Sequence, residues 1–476
     1  MAELDPTSPT PIYRQLFSYF VREIETGRLR EGERLPATRE LAGQLAVNRT
    51  TVSAAYELLE SEGWISGEVG RGSFVRSRPS AQIDWPRVLA PSLTPRNPPL
   101  SPVAISFAHS RPSESLFPVD AFRASTEAVL ASPVLASLLQ LGAPAGYEPL
   151  RRYLLELARA EGNASDDDDL LITNGCQQAL DLLCRVLVRT GDTVALEDPV
   201  YPGIRNLFLQ AGASLAGIEV DRDGIDAEAL RSLRPKLAIV TPSFQNPTGA
   251  TVSLARREKL VQIPGTIFIE NDIYSALRYQ GDHLTTLKHL DRAGRVVLLR
   301  SFSKVAFPGL RVGWVIGPRP LIQRLTEAKH LTDLHTDQFS QAVLLHFAQS
   351  GRLAEHQRNM LQSGRSRLSA ALNALRRYMP AGARWREPQG GMNLWVELPD
   401  FLDAGSLLAH AQAQGVAYLP GKSFSVLAAH QNALRLSFAG LAEAQIARGI
   451  EILGSVVRRE LEAERSRDRE PVSAMV

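Results

Sequence analysis

Cysteine is scarce, with two in 476 residues. So few cannot staple a chain of this length, which excludes a disulfide-framed scaffold. Long hydrophobic runs are also missing. No stretch reaches the ~18 apolar residues that a membrane-spanning helix needs. The opening residues MAELDPTSPT lack both a basic start and an apolar stretch, so no secretory signal is expected. Neither sign of charge is in excess: 53 Lys+Arg against 51 Asp+Glu leave +2, which names no partner by itself. There are no internal repeats. What remains is 44% hydrophobic and 22% charged, an ordinary globular composition. At ~150 residues per domain the length suggests about three domains. The expectation is a cytoplasmic, multidomain protein with no membrane partner and no metal site.

Proline is concentrated in one place. The stretch RSRPSAQIDWPRVLAPSLTPRNPPLSP, residues 76–102, has no periodic pattern. Proline removes backbone donors and biases the preceding residue out of helix, so a semi-stiff tether over 79–104 is expected. It separates an N-terminal unit, 1–78, from a large unit, 105–460. The run Asp166 to Asp169 reads as a solvated turn, and the tail beyond 460 reads as frayed.

The N-terminal unit reads as helices followed by a hairpin. Thr10 caps a helix whose first residue is Pro11. Ile12, Tyr13, Leu16, Phe17, Phe20, Val21 and Ile24 share one face, and Gly27 closes it. A short helix follows over 38–45, with Leu41 and Leu45 inward. Ala46-Val47-Asn48 form a turn, and Asn48 caps a second helix that starts at Arg49. Its inner face is Val52, Ala55 and Leu59. Residues 63–66 and 73–75 read as two short strands around Gly70-Arg71-Gly72. Helix, three-residue turn, helix is a DNA-binding layout. Arg49 suits guanine, Thr50 and Thr51 suit phosphates or bases, and Arg71 suits a minor groove. Against this, residues 1–78 carry 10 Lys+Arg and 11 Asp+Glu, so the unit as a whole lacks a basic footprint. Its acids cluster away from the reading face, at Glu23, Glu25, Glu31, Glu33, Glu57, Glu60 and Glu62. A helical hairpin for protein contacts is the other reading. From PIYRQ to GRGSFV the unit resembles the winged helix-turn-helix of the GntR group. That resemblance implies DNA contacts from Arg39, Arg49, Thr50, Thr51 and Arg71, and a double-stranded operator as partner.

The large unit alternates apolar strands with helices. Leu237–Thr241, Ile267–Asn271 and Val296–Arg300 read as buried parallel strands, each followed by polar residues. Ligands in such sheets bind beyond the carboxyl ends of the strands. Asn174-Gly175-Cys176 is a glycine turn opening an apolar helix, able to hold an anion. Tyr201 sits on a proline-stiffened loop, and Asn246-Pro247-Thr248-Gly249 form a turn. Asp272 follows an apolar strand. Lys304 lies between hydroxyls and Arg311. Arg435, flanked by apolar residues in a strand, needs an anionic partner. A lysine, a carboxylate, an aromatic face and an anion cradle together suit pyridoxal phosphate.

NGCQQAL, DPVYPG, NPTG, NDIY, SFSKVAFPGLRVGW and LRLSF, in that order, resemble the fold-type I aminotransferases over about 105–455. The fold class implied is thus an N-terminal winged helix-turn-helix joined to an α/β fold-type I transferase-like domain. The resemblance implies that Lys304 is the Schiff-base lysine and Asp272 the partner of the pyridine nitrogen. Asn246 and Tyr274 would bond the phenolic oxygen, and Tyr201 would stack on the ring. Cys176, Gln177, Ser301, Ser303 and Arg311 would bind phosphate, and Arg435 a substrate or effector carboxylate. Two positions depart from the pattern. Cys176 replaces a serine, and Leu141 stands where a tyrosine would reach the partner subunit's cofactor, with Tyr147 nearby. The whole chain resembles the MocR/GabR regulators. That implies a homodimeric, pyridoxal phosphate-dependent regulator sensing an amino compound by external aldimine formation at Lys304. A working aminotransferase with an appended DNA-binding domain is the alternative, and a cofactor-free scaffold is a third reading.

Overall fold

The computed structural model describes residues 4–68, 71–76, 88–89 and 102–467. Most of the proline-rich tether, and Gly70 of the wing, lie outside the described residues. The chain divides into two units, Met1–Ser92 and Leu93–Val476.

In the first unit, α1 (Ile12–Glu25), α2 (Thr38–Gln44) and α3 (Arg49–Ser61) precede a hairpin of β1 (Ile65–Glu68) and β2 (Gly72–Val75). Helix α1 opens at Ile12, so Pro11 is its cap residue and not its first turn. Gly27 takes φ +72, and its N–H bonds Ile24 O at 3.0 Å. The Asn48 side chain accepts from Thr50 N at 3.1 Å and sets the start of α3. Leu16, Phe20, Val52, Leu59 and Trp64 form the core, each worth ~1.5–3 kcal/mol on full burial.

The second unit is built on a mixed sheet. Its strands are β3 (Asp168–Thr173), β4 (Thr193–Asp198), β5 (Ser214–Asp221), β6 (Gly224–Ile225), β7 (Leu237–Val240), β8 (Ile267–Asn271), β9 (Val296–Ser301) and β10 (Gly313–Pro318). The spatial order is β3-β10-β9-β8-β7-β4-β5-β6. Strands β9, β8, β7, β4 and β5 run parallel, as their unbroken apolar runs imply. A smaller antiparallel sheet holds β11 (Arg384–Trp385), β12 (Asn393–Glu397), β13 (Leu419–Pro420) and β14 (Ala433–Ser437) in the order β11-β12-β14-β13.

Two expectations are corrected here. Asp168 and Asp169 belong to β3 and not to a solvated turn: Asp168 is buried against Lys288 Nζ at 2.8 Å, and Asp169 meets Arg151 at 2.8 Å. The final helix, Glu443–Arg467, runs past residue 460. Leu461 is buried in the main core and carries the helix on.

Candidate cofactor cavity and nucleic-acid interface

Strands β7, β8 and β9 end at a cavity of about 590 Å³. Nine of the ten residues expected at the cofactor line it: Cys176, Gln177, Tyr201, Asn246, Tyr274, Ser301, Ser303, Lys304 and Arg311. Arg435, from the smaller sheet, lines it too.

The tenth, Asp272, is placed elsewhere. It lines a neighbouring cavity of about 610 Å³ with Arg300 and Glu161. Its Oδ2 accepts from Arg300 Nε at 3.0 Å, and Arg300 donates to Glu161 Oε2 at 2.6 Å. Asn271 is the residue at the Lys304 cavity. Alternation explains the exchange, since successive strand residues face opposite sides. Ile269 packs in the core that includes Leu180, and Asn271 follows it on that face. Glu270 and Asp272 take the other side.

At one end of the cavity lies an anion cradle. Gly175, at φ +79, precedes the helix Cys176–Leu187. Arg311 donates to Asn174 O at 3.3 Å and to Ser303 Oγ at 3.4 Å. A Cβ on Gly175 would stand 2.5 Å from the Arg311 guanidinium, and one on Gly313 would stand 2.9 Å from Gly175 Cα. Only glycine at both positions lets guanidinium, strand and helix start meet. Beneath, Asn174 and Gln178 each donate to Asp333 Oδ2 at 2.6 Å and fix the turn. Burial pushes the Cys176 thiol up to about 12, so at neutral pH it acts as a small neutral group.

At the other end, Lys304 Nζ donates to Ser110 O at 2.7 Å. Burial, then the Arg435 charge, lowers its ammonium to about 8. Arg435 is 2% exposed and lies 5.1 Å from the Phe424 ring centroid. It donates to Asn246 Oδ1 at 3.0 Å and to Ala108 O. Burial lowers it to about 10, so it is charged at pH 7. Arg435 Nε and Asn271 Oδ1 are buried here without a hydrogen-bond partner among the described residues. The second amide atom of Asn271, Nδ2, donates to Thr241 Oγ1 at 3.3 Å. Sequence reasoning passed over Asn271, Thr241, Phe424 and the carbonyls of Ala108 and Ser110. Only Asn271 had a usable signal, its place in the alternation of β8.

The residues fit pyridoxal phosphate. Free helix N–H groups, two serines and Arg311 suit a phosphate. A lysine with lowered basicity suits an aldehyde, and the unpartnered atoms leave room for further polar contacts. Because a neutral amine attacks, capture of the cofactor by cofactor-free protein is expected to quicken as pH rises through about 8 and then level off. A stopped-flow series against pH checks this. A rise continuing to the ordinary lysine range would contradict it.

In the first unit, Arg39, Arg49 and Thr50 are exposed along the start of α2 and α3, and Thr51 is half-buried. Neither Arg39 nor Arg49 pairs with a carboxylate among the described residues. Arg71 does, with Glu68 at 2.9 Å. Both are exposed, so the pair is worth at most ~1 kcal/mol and yields readily to a phosphate.

Comparison with known proteins agrees with this division. Residues 12–75 match the gntR family of bacterial regulatory proteins, and residues 122–453 match aminotransferase class I and II. A probable rhizopine catabolism regulatory protein, MocR, of Rhizobium meliloti is 31% identical over 96% of this chain and 95% of its own. The chain belongs to the MocR-type transcriptional regulators. It is thus a pyridoxal phosphate-dependent DNA-binding regulator. Like other MocR-type chains, it carries an aminotransferase domain similar to free-standing enzymes. Aromatic-amino-acid aminotransferase 1 of Thermococcus litoralis is 34% identical over 75% of this chain and 88% of its own. A solved kynurenine aminotransferase of Pyrococcus horikoshii superposes with a TM-score of 0.73 at 34% identity, covering 76% of this chain and 92% of that one. Among the described residues, no helix is long and apolar enough to cross a membrane.

Proposed function

We propose that this regulator senses a carboxylate-bearing amino compound in the cavity of Lys304, and that occupancy changes its affinity for a double-stranded operator in the cytoplasm. One observation carries the reading: a buried guanidinium, Arg435, with a free Nε, shares the cavity of a lysine of lowered basicity. When bound, pyridoxal phosphate supplies an aldehyde that condenses with amines and a ring that draws electrons. Arg435 grips the carboxylate of the amino compound as a fork. Lys304 would hold the cofactor through its amine, and the Gly175 cradle with Arg311 would hold the phosphate. Asn246 and Tyr274 would hold the phenolic oxygen, and Tyr201 would cover the ring.

The regulator acts as a homodimer in this reading. Leu139 and Leu141 are 74% and 71% exposed, and Val134 and Leu130 are about half exposed, an apolar surface suited to a second copy. Leu141 carries no hydroxyl for the partner's cofactor, and Tyr147 packs against the core instead. The similarity to free-standing aminotransferases favours some turnover as a second reading.

The test is operator affinity of the cofactor-loaded protein with and without a panel of amino acids. An amino acid that alters affinity is the expected result, and no change across the panel refutes sensing. In the same assay Arg49→Ala should weaken binding by ~1–3 kcal/mol if it pairs with guanine. Unchanged affinity removes Arg49 from the readout.

A further inference from the structure

We propose that the pyridine nitrogen of the cofactor is held in this chain by the neutral amide of Asn271, and that it remains unprotonated at neutral pH. The inference rests on the cofactor reading above and adds what this chain does with the cofactor.

The observations are of placement and charge. Asn271 ends β8 on the face that opens to Lys304, beside Thr241, the residue that follows β7. Its Oδ1 is buried and has no hydrogen-bond partner, while Nδ2 donates to Thr241 Oγ1 at 3.3 Å. The amide can serve a ring nitrogen with either end, because a half-turn exchanges its donor and acceptor and the threonine hydroxyl accepts either orientation. An amide carries no charge, however, and cannot offset a positive ring.

Nothing else at the cavity offsets one. Among the described residues no aspartate or glutamate lines it, whereas Arg111, Lys304, Arg311 and Arg435 do. The remaining titratable groups facing it are Cys176, Tyr201, Tyr274 and His109, none of which is an anion at neutral pH. Like charge disfavours a further proton. The carboxylate next in sequence, Asp272, lines the neighbouring cavity. Its Oδ1 is also without a partner, but Oδ2 is bound to Arg300, which Glu161 holds in turn. A guanidinium already balances this carboxylate.

A ring nitrogen without a proton makes the ring a weak sink for electrons. The domain then holds an amino compound without readily converting it. That separates sensing from turnover by one residue, and it accounts for a regulator that keeps nearly every residue of an enzyme.

The test is the ¹⁵N resonance of the full-length protein loaded with pyridine-¹⁵N pyridoxal phosphate at pH 7. The expected signal is that of an unprotonated pyridine. Asn271→Asp should move it to the protonated position, and Asp272→Asn should leave it where it is. A protonated signal in the unaltered protein overturns the inference, as does a signal that moves with Asp272→Asn. If Asp272→Asn fails to fold, the unaltered protein and Asn271→Asp still decide it. Failure to take up the labelled cofactor overturns the cofactor reading and this inference together, whereas uptake with a protonated signal overturns this inference alone.

Discussion

Lys304→Ala is expected to abolish the yellow colour of the loaded protein and every response of operator affinity to an amino compound, while leaving basal DNA binding intact. The loss is complete because, among the described residues, no other lysine lines the cavity. Basal binding survives because the DNA-binding unit has its own core, from Leu16 to Trp64. Removing Nζ leaves the Ser110 carbonyl without its donor, at a cost of ~1–3 kcal/mol. That loss falls on the second unit, whose core is separate from that of the first. Visible absorption and gel-shift titration on the same preparation read both effects. A Lys304→Ala protein that still answers the same amino compound contradicts the mechanism.

The second large effect is at Arg435. Arg435→Met keeps an unbranched apolar stem near Phe424 and removes the fork. Hydrogen bonds to charged groups are worth ~1.5–3 kcal/mol, so a carboxylate-bearing compound should bind roughly 10- to 150-fold more weakly. The corresponding amine without a carboxylate should lose far less. Isotherms for such a pair on both proteins separate carboxylate recognition from general damage. Damage is a real alternative, because the substitution also strips a donor from Asn246 and from the Ala108 carbonyl. Equal losses for both compounds would assign Arg435 a purely structural task.

Much of this architecture could be read from the sequence. Apolar runs such as Leu237–Val240 and Ile267–Asn271 announce buried strands, because a strand covered on both faces has no polar side to show. The turn before Asn48 and the stripe Val52, Ala55, Leu59 announce the helix pair. What misled was the end of β8. Asn271 and Asp272 are adjacent and both polar, and chemistry favoured the carboxylate. The face each takes follows from Ile269, which packs beneath the sheet with Leu180, and that packing is a tertiary fact. The carbonyls of Ala108 and Ser110 were invisible for a different reason. A backbone acceptor has no residue type, so no motif marks it. Asp168 went unread because its partner, Lys288, is distant in sequence.

Those two carbonyls have a further consequence. Ala108 and Ser110 stand a few residues after the tether, and they are bound by Arg435 and Lys304, the two cations a ligand would engage. An incoming carboxylate would compete with Ala108 for the guanidinium, and a cofactor on Lys304 would compete with Ser110 for the amine. Ligand and chain segment are thus rivals for the same donors. Whatever a ligand would gain there, the hold on the stretch from Ala108 to Ser110 would lose, so filling the cavity would loosen the first turns of backbone of the second unit.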